Sequence, residues 1–133
     1  GTHFENVTGL HDDNHYTTVK DIAMLLQYAL KNETFRNIFT TARHSTDLTN
    51  LHSGGITFYS TLSKKTNTYE FDGGKIIGGK TGYTDEAGLC LASIAEKGKY
   101  EYILVTAGAK GNQYTEQFHI MDAFTVYENF VKD

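Results

Sequence analysis

The strongest candidate for a catalytic or binding site in this chain of 133 residues is a run of three residues, Lys80, Thr81 and Gly82. They lie in a glycine-rich run from Gly78 to Asp85, on a segment whose pattern predicts a β-strand. Cleaving an amide beside a free carboxylate through a serine requires a cation, a donor for the developing oxyanion and a strand edge for the peptide. The triplet offers a cation, a hydroxyl and a glycine that permits close approach of another backbone.

The nucleophile for such a reaction is missing from the sequence. No serine has a lysine three positions later, and none has an asparagine two positions later. The nearest substitutes are two threonines with that lysine spacing, Thr17 with Lys20 and Thr61 with Lys64. The first pair falls at a predicted helix start and the second in a polar loop, so neither is a credible replacement. We interpret the chain as carrying half of an active site.

Several further blocks accompany the triplet, and together they resemble the low-molecular-mass penicillin-binding proteins that act as serine D-Ala-D-Ala carboxypeptidases. In that superfamily, which includes the serine β-lactamases, Lys-Thr-Gly is the third of three motifs. The blocks follow the family's order from the first residue to about Gly108. They are Thr2 to Leu10, Asn14 to Thr18, Asp21 to Ala23, and Gly79 to Gly88. Both serine motifs of the family would precede Gly1.

The resemblance implies a role for each residue of the strand. Lys80 would supply positive charge beside the middle-motif serine and the substrate carboxylate, and Thr81 would offer its hydroxyl to that carboxylate. Gly82 would let the substrate backbone approach, and the backbone N–H of Tyr83 would be one oxyanion donor. The implied fold is α+β, an antiparallel sheet with packed helices belonging to the penicillin-binding-protein/β-lactamase-like transpeptidase fold. Residues 1–133 would form one domain, the C-terminal portion of the catalytic domain.

The resemblance also implies partners and location. The parent enzyme would remove the terminal D-alanine from peptidoglycan stem peptides through an acyl-serine intermediate, and β-lactams such as penicillin would acylate the same serine. It would use no cofactor and would act outside the cytoplasm, in the cell envelope, with any signal or anchor outside this chain. Two alternatives stay open: a portion of a serine β-lactamase, and a non-catalytic module that binds peptidoglycan or itself. For the triplet alone, the competing interpretation is a solvated edge lysine and a bulge at Gly82.

Composition limits the other classes of function. The chain has 39% hydrophobic and 21% charged residues, and a net charge of −4 argues against a nucleic-acid partner. Cys90, the only cysteine, lies in an apolar run and is predicted to be a buried thiol. His11 and His15 flank two aspartates, but they precede a helix in a predicted turn, so we expect no metal site.

The hydrophobic pattern predicts the elements that must position the triplet. Thr18 is expected to cap a first helix, in a capping box in which the Asp21 side chain bonds back to Thr18. Asn32 is expected to cap a second, short helix. Residues 44–65 read as a long loop, and 66–71 as a strand. Three further strands are predicted at 75–83, 88–96 and 100–108, the last two joined by a hairpin turn, with a closing helix. Apolar side chains at helical spacing mark the faces of the first and last helices, namely Val19, Ile22, Ala23, Leu26, Ala29 and Leu30, and Ile120, Ala123, Phe124, Tyr127, Phe130 and Val131.

The strand at 100–108 has a consequence for assembly. In the family fold it pairs on one side with its hairpin partner and on the other with a strand that this chain does not contain. We therefore expect an open, apolar edge at Ile103, Leu104 and Val105. Such an edge is a template for another chain, which predicts self-association through 100–108.

Overall fold

A computed structural model describes residues 1–133 and consists of three helices and six strands. The elements in chain order are α1 (Val19–Ala29), α2 (Glu33–Thr40), β1 (Arg43–Ser45), β2 (Thr57–Tyr59), β3 (Glu70–Phe71), β4 (Gly74–Thr84), β5 (Gly88–Lys97), β6 (Tyr100–Ala109) and α3 (Phe118–Asn129). β3 to β6 form one antiparallel sheet in sequential order, and β1 pairs with β2 in a separate ribbon. The predicted architecture of helices on an antiparallel sheet is confirmed.

The core lies between α3 and one face of the sheet. Side chains alternate between the two faces of a strand, and Leu91 and Ala95 of β5 share a face that packs against Ile120, Ala123 and Tyr127 of α3. Ser93 lies between them, with its hydroxyl 3.0 Å from the Tyr127 hydroxyl, and burial raises the pKa of Tyr127 to about 12. The predicted face of the last helix is confirmed except at Phe130, which lies beyond the end of α3 and is exposed.

The opposite face of the sheet carries α1 and α2. Ile94 is fully buried there, and Glu101 on the same face accepts hydrogen bonds from Arg36 of α2, which lower the pKa of the Glu101 carboxyl. Thr18 caps α1 as predicted, with its hydroxyl accepting from the Asp21 N–H at 3.1 Å. The other hydrogen bond of the predicted capping box, from the Asp21 side chain back to Thr18, is not formed. The Asp21 carboxylate instead accepts from the Thr2 hydroxyl at 2.6 Å.

The predictions for the middle of the chain need correction. Residues 44–65 are not one loop, because β1 and β2 form a short antiparallel ribbon within it. The strand predicted over 66–71 is reduced to Glu70 and Phe71, since side-chain hydrogen bonds of Thr66 and Thr68 hold the preceding residues in a turn. Cys90 is half-buried rather than buried, and it lies on the face opposite the core.

The bulge in β4 falls at Ile77, between the register pairs Ile76–Ala95 and Gly78–Ile94. Gly82 pairs in regular register with Cys90, so the bulge interpretation of Gly82 is wrong. None of the three helices is long and apolar enough to span a bilayer.

Candidate active site

β4 places Lys80, Thr81, Gly82 and Tyr83 on an open sheet edge. On one side they pair with Ala92, Leu91, Cys90 and Leu89 of β5. On the other side, β3 pairs only with Gly74 and Lys75, and the Tyr69 carbonyl accepts from the Ile76 N–H. The edge from Lys80 to Tyr83 therefore has no strand partner, and an extended peptide could lie along it.

Lys80 and Thr81 leave this strand on opposite faces. Thr81 shares the core face with Leu91, is only 9% exposed, and has its hydroxyl 2.7 Å from that of Thr61. The Lys80 side chain is exposed on the other face, and its ammonium donates to the Thr81 carbonyl. A ligand group bound by the Thr81 hydroxyl therefore lies on the face from which Lys80 points away.

Tyr83 lies close to the end of β4, and its hydroxyl donates to the Asp85 carboxylate, which raises the pKa of the phenol. The Asp85 carboxylate thus accepts a hydrogen bond from its near neighbour Tyr83. Asp85 and Glu86 belong to the turn that joins β4 to β5.

A cavity of about 1010 Å³ borders the edge and is lined by all four predicted site residues. Part of its wall is the loop from Val7 to Leu10, and another part is the start of α1 at Val19 and Ile22. Asn6 fixes that loop, because its side-chain oxygen accepts from the N–H groups of Thr8 and Gly9 while its amide donates to the Leu10 carbonyl. The block of residues that precedes α1 therefore contributes to the same site as the Lys-Thr-Gly strand.

The turn formed by residues 60–65 is a third wall, which the sequence did not reveal. Leu62 is 1% exposed and anchors the turn in the core, where Gly79 allows the approach: a Cβ at Gly79 would lie 2.8 Å from Leu62 Cδ2. Thr61 and Lys65 line the cavity, and the Lys65 ammonium donates to the Gln117 side-chain oxygen at 2.6 Å. The only sequence feature that pointed to this wall was Leu62, a single leucine in an otherwise polar segment.

Two residues of the cavity lining have buried polar side-chain atoms that make no hydrogen bond within the chain. They are Thr106, through its hydroxyl, and His119, through both ring nitrogens. His119 is fully buried in the first turn of α3, and its burial, reinforced by the charge of Lys65, lowers the pKa of the imidazole. The imidazole is therefore neutral at neutral pH, and the cation at this end of α3 is Lys65.

No serine lines the cavity. Ser93 is buried against Tyr127, and the Ser63 hydroxyl donates to backbone carbonyls of the 60–65 turn and of Ala42. The threonine substitutes are also engaged elsewhere: Thr17 contacts the Thr2 hydroxyl, and the Lys64 ammonium lies over the Tyr59 ring. The cavity lining thus contains two lysines, several threonine hydroxyls and no serine.

The histidines of the N-terminal segment make local contacts. His15 accepts from the Glu5 N–H at 3.0 Å and packs against Phe4, while His11 lies 3.5 Å from the Glu86 carboxylate. No group of three or more His, Cys, Asp or Glu side chains in the chain is arranged to hold a metal ion.

Comparison with known proteins gives this arrangement its context. The family model described as D-alanyl-D-alanine carboxypeptidase matches residues 1–111, which include the N-terminal loop, α1 and the Lys-Thr-Gly strand. The chain belongs to the D-alanyl-D-alanine carboxypeptidase family. The predicted family is confirmed.

Two curated relatives carry the same name. The D-alanyl-D-alanine carboxypeptidase DacF of Bacillus subtilis is 32% identical over 96% of this chain and 32% of its own length. A D-alanyl-D-alanine carboxypeptidase of a Streptomyces species is 33% identical over 73% of this chain and 33% of its own length. The chain therefore spans about a third of the curated relatives it matches.

Solved structures of the family share the fold. A mutant of a Streptomyces DD-transpeptidase superposes with a TM-score of 0.67 at 24% identity, over 94% of this chain and 48% of that protein. A D-alanyl-D-alanine carboxypeptidase from Mycobacterium tuberculosis superposes with a TM-score of 0.66 at 20% identity. The superposition covers 97% of this chain and 48% of that protein. The predicted penicillin-binding-protein-like fold is thereby confirmed.

Proposed function

We propose that this chain is the C-terminal portion of the catalytic domain of a serine-type D-Ala-D-Ala carboxypeptidase, with the nucleophile on a preceding portion. The observation that carries the proposal is the open edge of β4, where Lys80, Thr81, Gly82 and Tyr83 border one cavity together with the family's N-terminal loop. The share of the solved relatives that the chain covers, about 48%, supports a division of the domain into two portions.

The geometry suits cleavage of a peptide that ends in a free carboxylate. The substrate backbone would lie along the β4 edge, where Gly82 offers no side-chain obstruction. The Thr81 hydroxyl would donate to the terminal carboxylate, and Lys80 on the other face would place its charge beside the serine motifs. The Tyr83 N–H would stabilise the oxyanion that forms when the serine attacks the amide carbonyl. Collapse of this tetrahedral intermediate would break the C–N bond, expel D-alanine as a protonated amine and leave the acyl-serine, which water would then hydrolyse.

The substrate class and location follow from the same proposal. A peptide ending in D-Ala-D-Ala occurs in peptidoglycan stem peptides, so the parent enzyme would act outside the cytoplasm in the cell envelope. β-Lactams would acylate the same serine and form a stable adduct. The family match favours a carboxypeptidase over the alternative of a serine β-lactamase.

Mass spectrometry after incubation with penicillin tests the division of the domain. Residues 1–133 alone are expected to remain unmodified, because no serine or threonine of the cavity has a positioned base. The longer protein is expected to gain one penicillin, on a serine that precedes Gly1 and is followed three positions later by lysine. An adduct on any hydroxyl of residues 1–133 would contradict the proposal. A longer protein without adduct or D-alanine release would favour the non-catalytic module.

A second candidate role, self-association, is favoured by the position of β6. β6 is the last strand of the sheet, and its outer edge, including Ile103, Leu104 and Val105, pairs with no segment of this chain. The N-terminal residues form no β-pairing with it, and their one β-bridge joins His3 to Tyr16. We propose that residues 1–133 alone pair through this edge in a two-fold dimer or by exchange of elements.

Solution scattering over a concentration series tests the association. Residues 1–133 are expected to gain mass with concentration, whereas the longer protein, in which the edge would be occupied, is expected to remain monomeric. A compact monomer of residues 1–133 at high concentration would contradict this role.

A further inference from the structure

The ribbon formed by β1 and β2 projects from the rest of the molecule. All six residues of its two strands are exposed, whichever face of the ribbon they occupy. From residue 43 to residue 59, only Thr46, Gly55 and Ile56 are partly buried. A ribbon of two strands gains little stability from its own pairing. Its surface is therefore available to a partner outside this chain.

The tip of the ribbon, residues 48–56, presents two leucines to solvent. Leu48 is 75% exposed and Leu51 is 81% exposed. Hydrogen bonds hold the tip in shape: the Thr49 N–H donates to the His52 carbonyl, and the His52 N–H donates to the Thr49 hydroxyl, both at 3.0 Å. The tip contains no Lys, Arg, Asp or Glu. Its two leucines are thus in a position to enter an apolar phase.

Aromatic and cationic side chains lie at the other end of the ribbon. Tyr59 pairs with Arg43, and both Tyr59 and its neighbour Phe58 are exposed. The Arg43 guanidinium lies 5.9 Å from the centre of the Tyr59 ring, and the Lys64 ammonium lies 5.7 Å from it. Neither cation takes part in any ion pair of the chain. Since a strand rises by about 3.3 Å per residue, these groups lie roughly 10–15 Å behind the leucines.

The ribbon and the turn that follows it are positive in a chain that is negative as a whole. Residues 43–65 contain three Lys or Arg residues and one acidic residue, Asp47, which gives a net charge of +2 against −4 for the whole chain. Asp47 is also the only acidic residue between Glu33 and Glu70. This part of the surface therefore favours an anionic partner.

The order of these groups along the ribbon matches the layers of an anionic bilayer. From tip to base, the ribbon presents the leucines and then the aromatic rings, with cations around Tyr59. A bilayer offers acyl chains, then an interface in which aromatic side chains are enriched, and anionic headgroups that attract Lys and Arg. A glycan would instead stack on an open aromatic ring, but two cations lie over Tyr59. An anionic lipid surface is therefore the partner that these groups fit.

We propose that the β1–β2 ribbon binds the surface of a bilayer that contains anionic lipids. The two leucines of the tip enter the boundary of the acyl chains, Phe58 and Tyr59 lie at the interface, and Arg43 and Lys64 contact the lipid phosphates. The contact is peripheral and reversible, because it buries only the tip. Since the 60–65 turn follows Tyr59 directly and lines the cavity, the contact also brings the β4 edge close to the membrane surface.

The absence of tryptophan from the chain allows a site-specific test on residues 1–133. Leu51→Trp places a single tryptophan at the tip. Vesicles of phosphatidylglycerol and phosphatidylcholine in equal parts should shift its emission to the blue, and brominated acyl chains should quench it. Vesicles of phosphatidylcholine alone should bind roughly 25-fold more weakly, about fivefold for each of the two cations. Leu25→Trp, at an exposed leucine of α1, is the matched control and should show neither effect.

Variants in the Leu51→Trp background test the individual side chains. Arg43→Gln and Lys64→Gln should each weaken binding to the anionic vesicles about fivefold. Leu48→Ser should weaken it about tenfold or more, because an apolar side chain no longer leaves water. Lys99→Gln removes an exposed lysine that also lies over a tyrosine ring, that of Tyr100, and should leave binding unchanged. Circular dichroism shows whether each variant is folded.

Three outcomes would overturn the proposal: an emission of Leu51→Trp that anionic vesicles do not shift, equal quenching of Leu25→Trp, or binding that Arg43→Gln and Lys64→Gln leave unchanged. In the longer protein, the emission added by Leu51→Trp should shift in the same way. An added emission that vesicles do not affect would mean that another portion of the domain covers the tip, and would also overturn it. Release of D-alanine needs no vesicles, so failure of the proposed function is distinguishable from failure of this contact.

Discussion

The two parts of this chain, before and after residue 60, differ sharply in how completely they bury their apolar side chains. After residue 60, Leu91, Ile94, Ala95, Ala123 and Tyr127 are each at most 2% exposed between the sheet and the helices. Before it, Leu26 is the only buried residue. The helices α1 and α2 leave large apolar side chains in solvent, including Met24, Leu25, Tyr28 and Ile38. The sheet and α3 therefore complete their own core, whereas the helices of the other face do not.

This difference explains where the candidate site lies. β4 and the 60–65 turn come from the well-packed part, and they place Thr81 and Lys65 in the cavity lining. The loop from Val7 to Leu10 and the start of α1 come from the poorly packed part and form the other wall. Exposed apolar patches on a soluble domain mark contact surfaces. The patch on α1 and α2 supports the proposal that another portion of the same domain covers it.

The largest expected effect is the loss of a core aromatic residue in the well-packed part. Tyr127→Ala removes a 1% exposed ring that stacks on Phe71 and bonds to Ser93. We expect the free energy of unfolding to fall by about 3–5 kcal/mol, as for other buried aromatic residues replaced by alanine. Urea titration measures it. The matched variant Tyr28→Ala, at a 74% exposed tyrosine of α1, should change it by less than about 0.5 kcal/mol. Equal losses of unfolding free energy in the two variants would contradict the difference in packing between the two parts of the chain.

A smaller effect is expected from the cap of α1. Thr18→Ala removes the hydroxyl that accepts from the Asp21 N–H, and caps of this kind stabilise a helix by about 1 kcal/mol. If the first part is only loosely attached, the loss should appear in the hydrogen exchange of α1 amides and leave β5 amides unchanged. The replacement Thr18→Ser should restore protection. A uniform loss across both parts would show that they unfold together.

The smallest expected effect concerns the buried imidazole of His119 in the well-packed part, which has no hydrogen-bond partner. Because burial lowers the pKa of His119 below its ordinary 6.5, the unfolded chain binds a proton there before the folded chain does. Stability should therefore decrease as pH falls below about 6.5, until the folded imidazole also titrates. His119→Gln should flatten this dependence in urea titrations at several pH values, and His52→Gln, at an exposed histidine, should not. An unchanged slope in His119→Gln would mean that other groups dominate.

The sequence predicted the sheet and α3 better than the first part of the chain, for a physical reason. The alternation in β5 and β6 and the glycine at the Lys97-Gly98-Lys99 connection encode a local hairpin, whose bounds differ from prediction by one residue. The β1–β2 ribbon joins Arg43 to Tyr59, a pairing that no local pattern encodes. The spacing in α1 marks one apolar face, yet only Leu26 of that face is buried, because spacing does not show what covers a face.

The sequence likewise predicted one part of the candidate site and missed another. Lys80 to Tyr83 form one contiguous motif, and the structure places them together on β4. Thr61, Lys65 and His119 reach the same cavity only through tertiary packing, by the burial of Leu62 and the docking of α3. Their roles depend on which face of β4 each group occupies. A linear motif does not contain that information.

The central claim is that the Lys-Thr-Gly edge of β4 is a substrate-binding edge rather than a structural strand end, and D-alanine release by the longer protein tests it most directly. Lys80→Ala and Thr81→Val should each lower turnover by about 100-fold or more, the usual cost of losing a polar contact made in the transition state. Their free energies of unfolding should fall by no more than about 1.5 kcal/mol, because the Lys80 side chain is exposed and valine keeps the volume of Thr81, losing only its contact with the Thr61 hydroxyl. Turnover that remains intact in the folded fraction, together with a loss of several kcal/mol of stability, would contradict the account and make both residues structural.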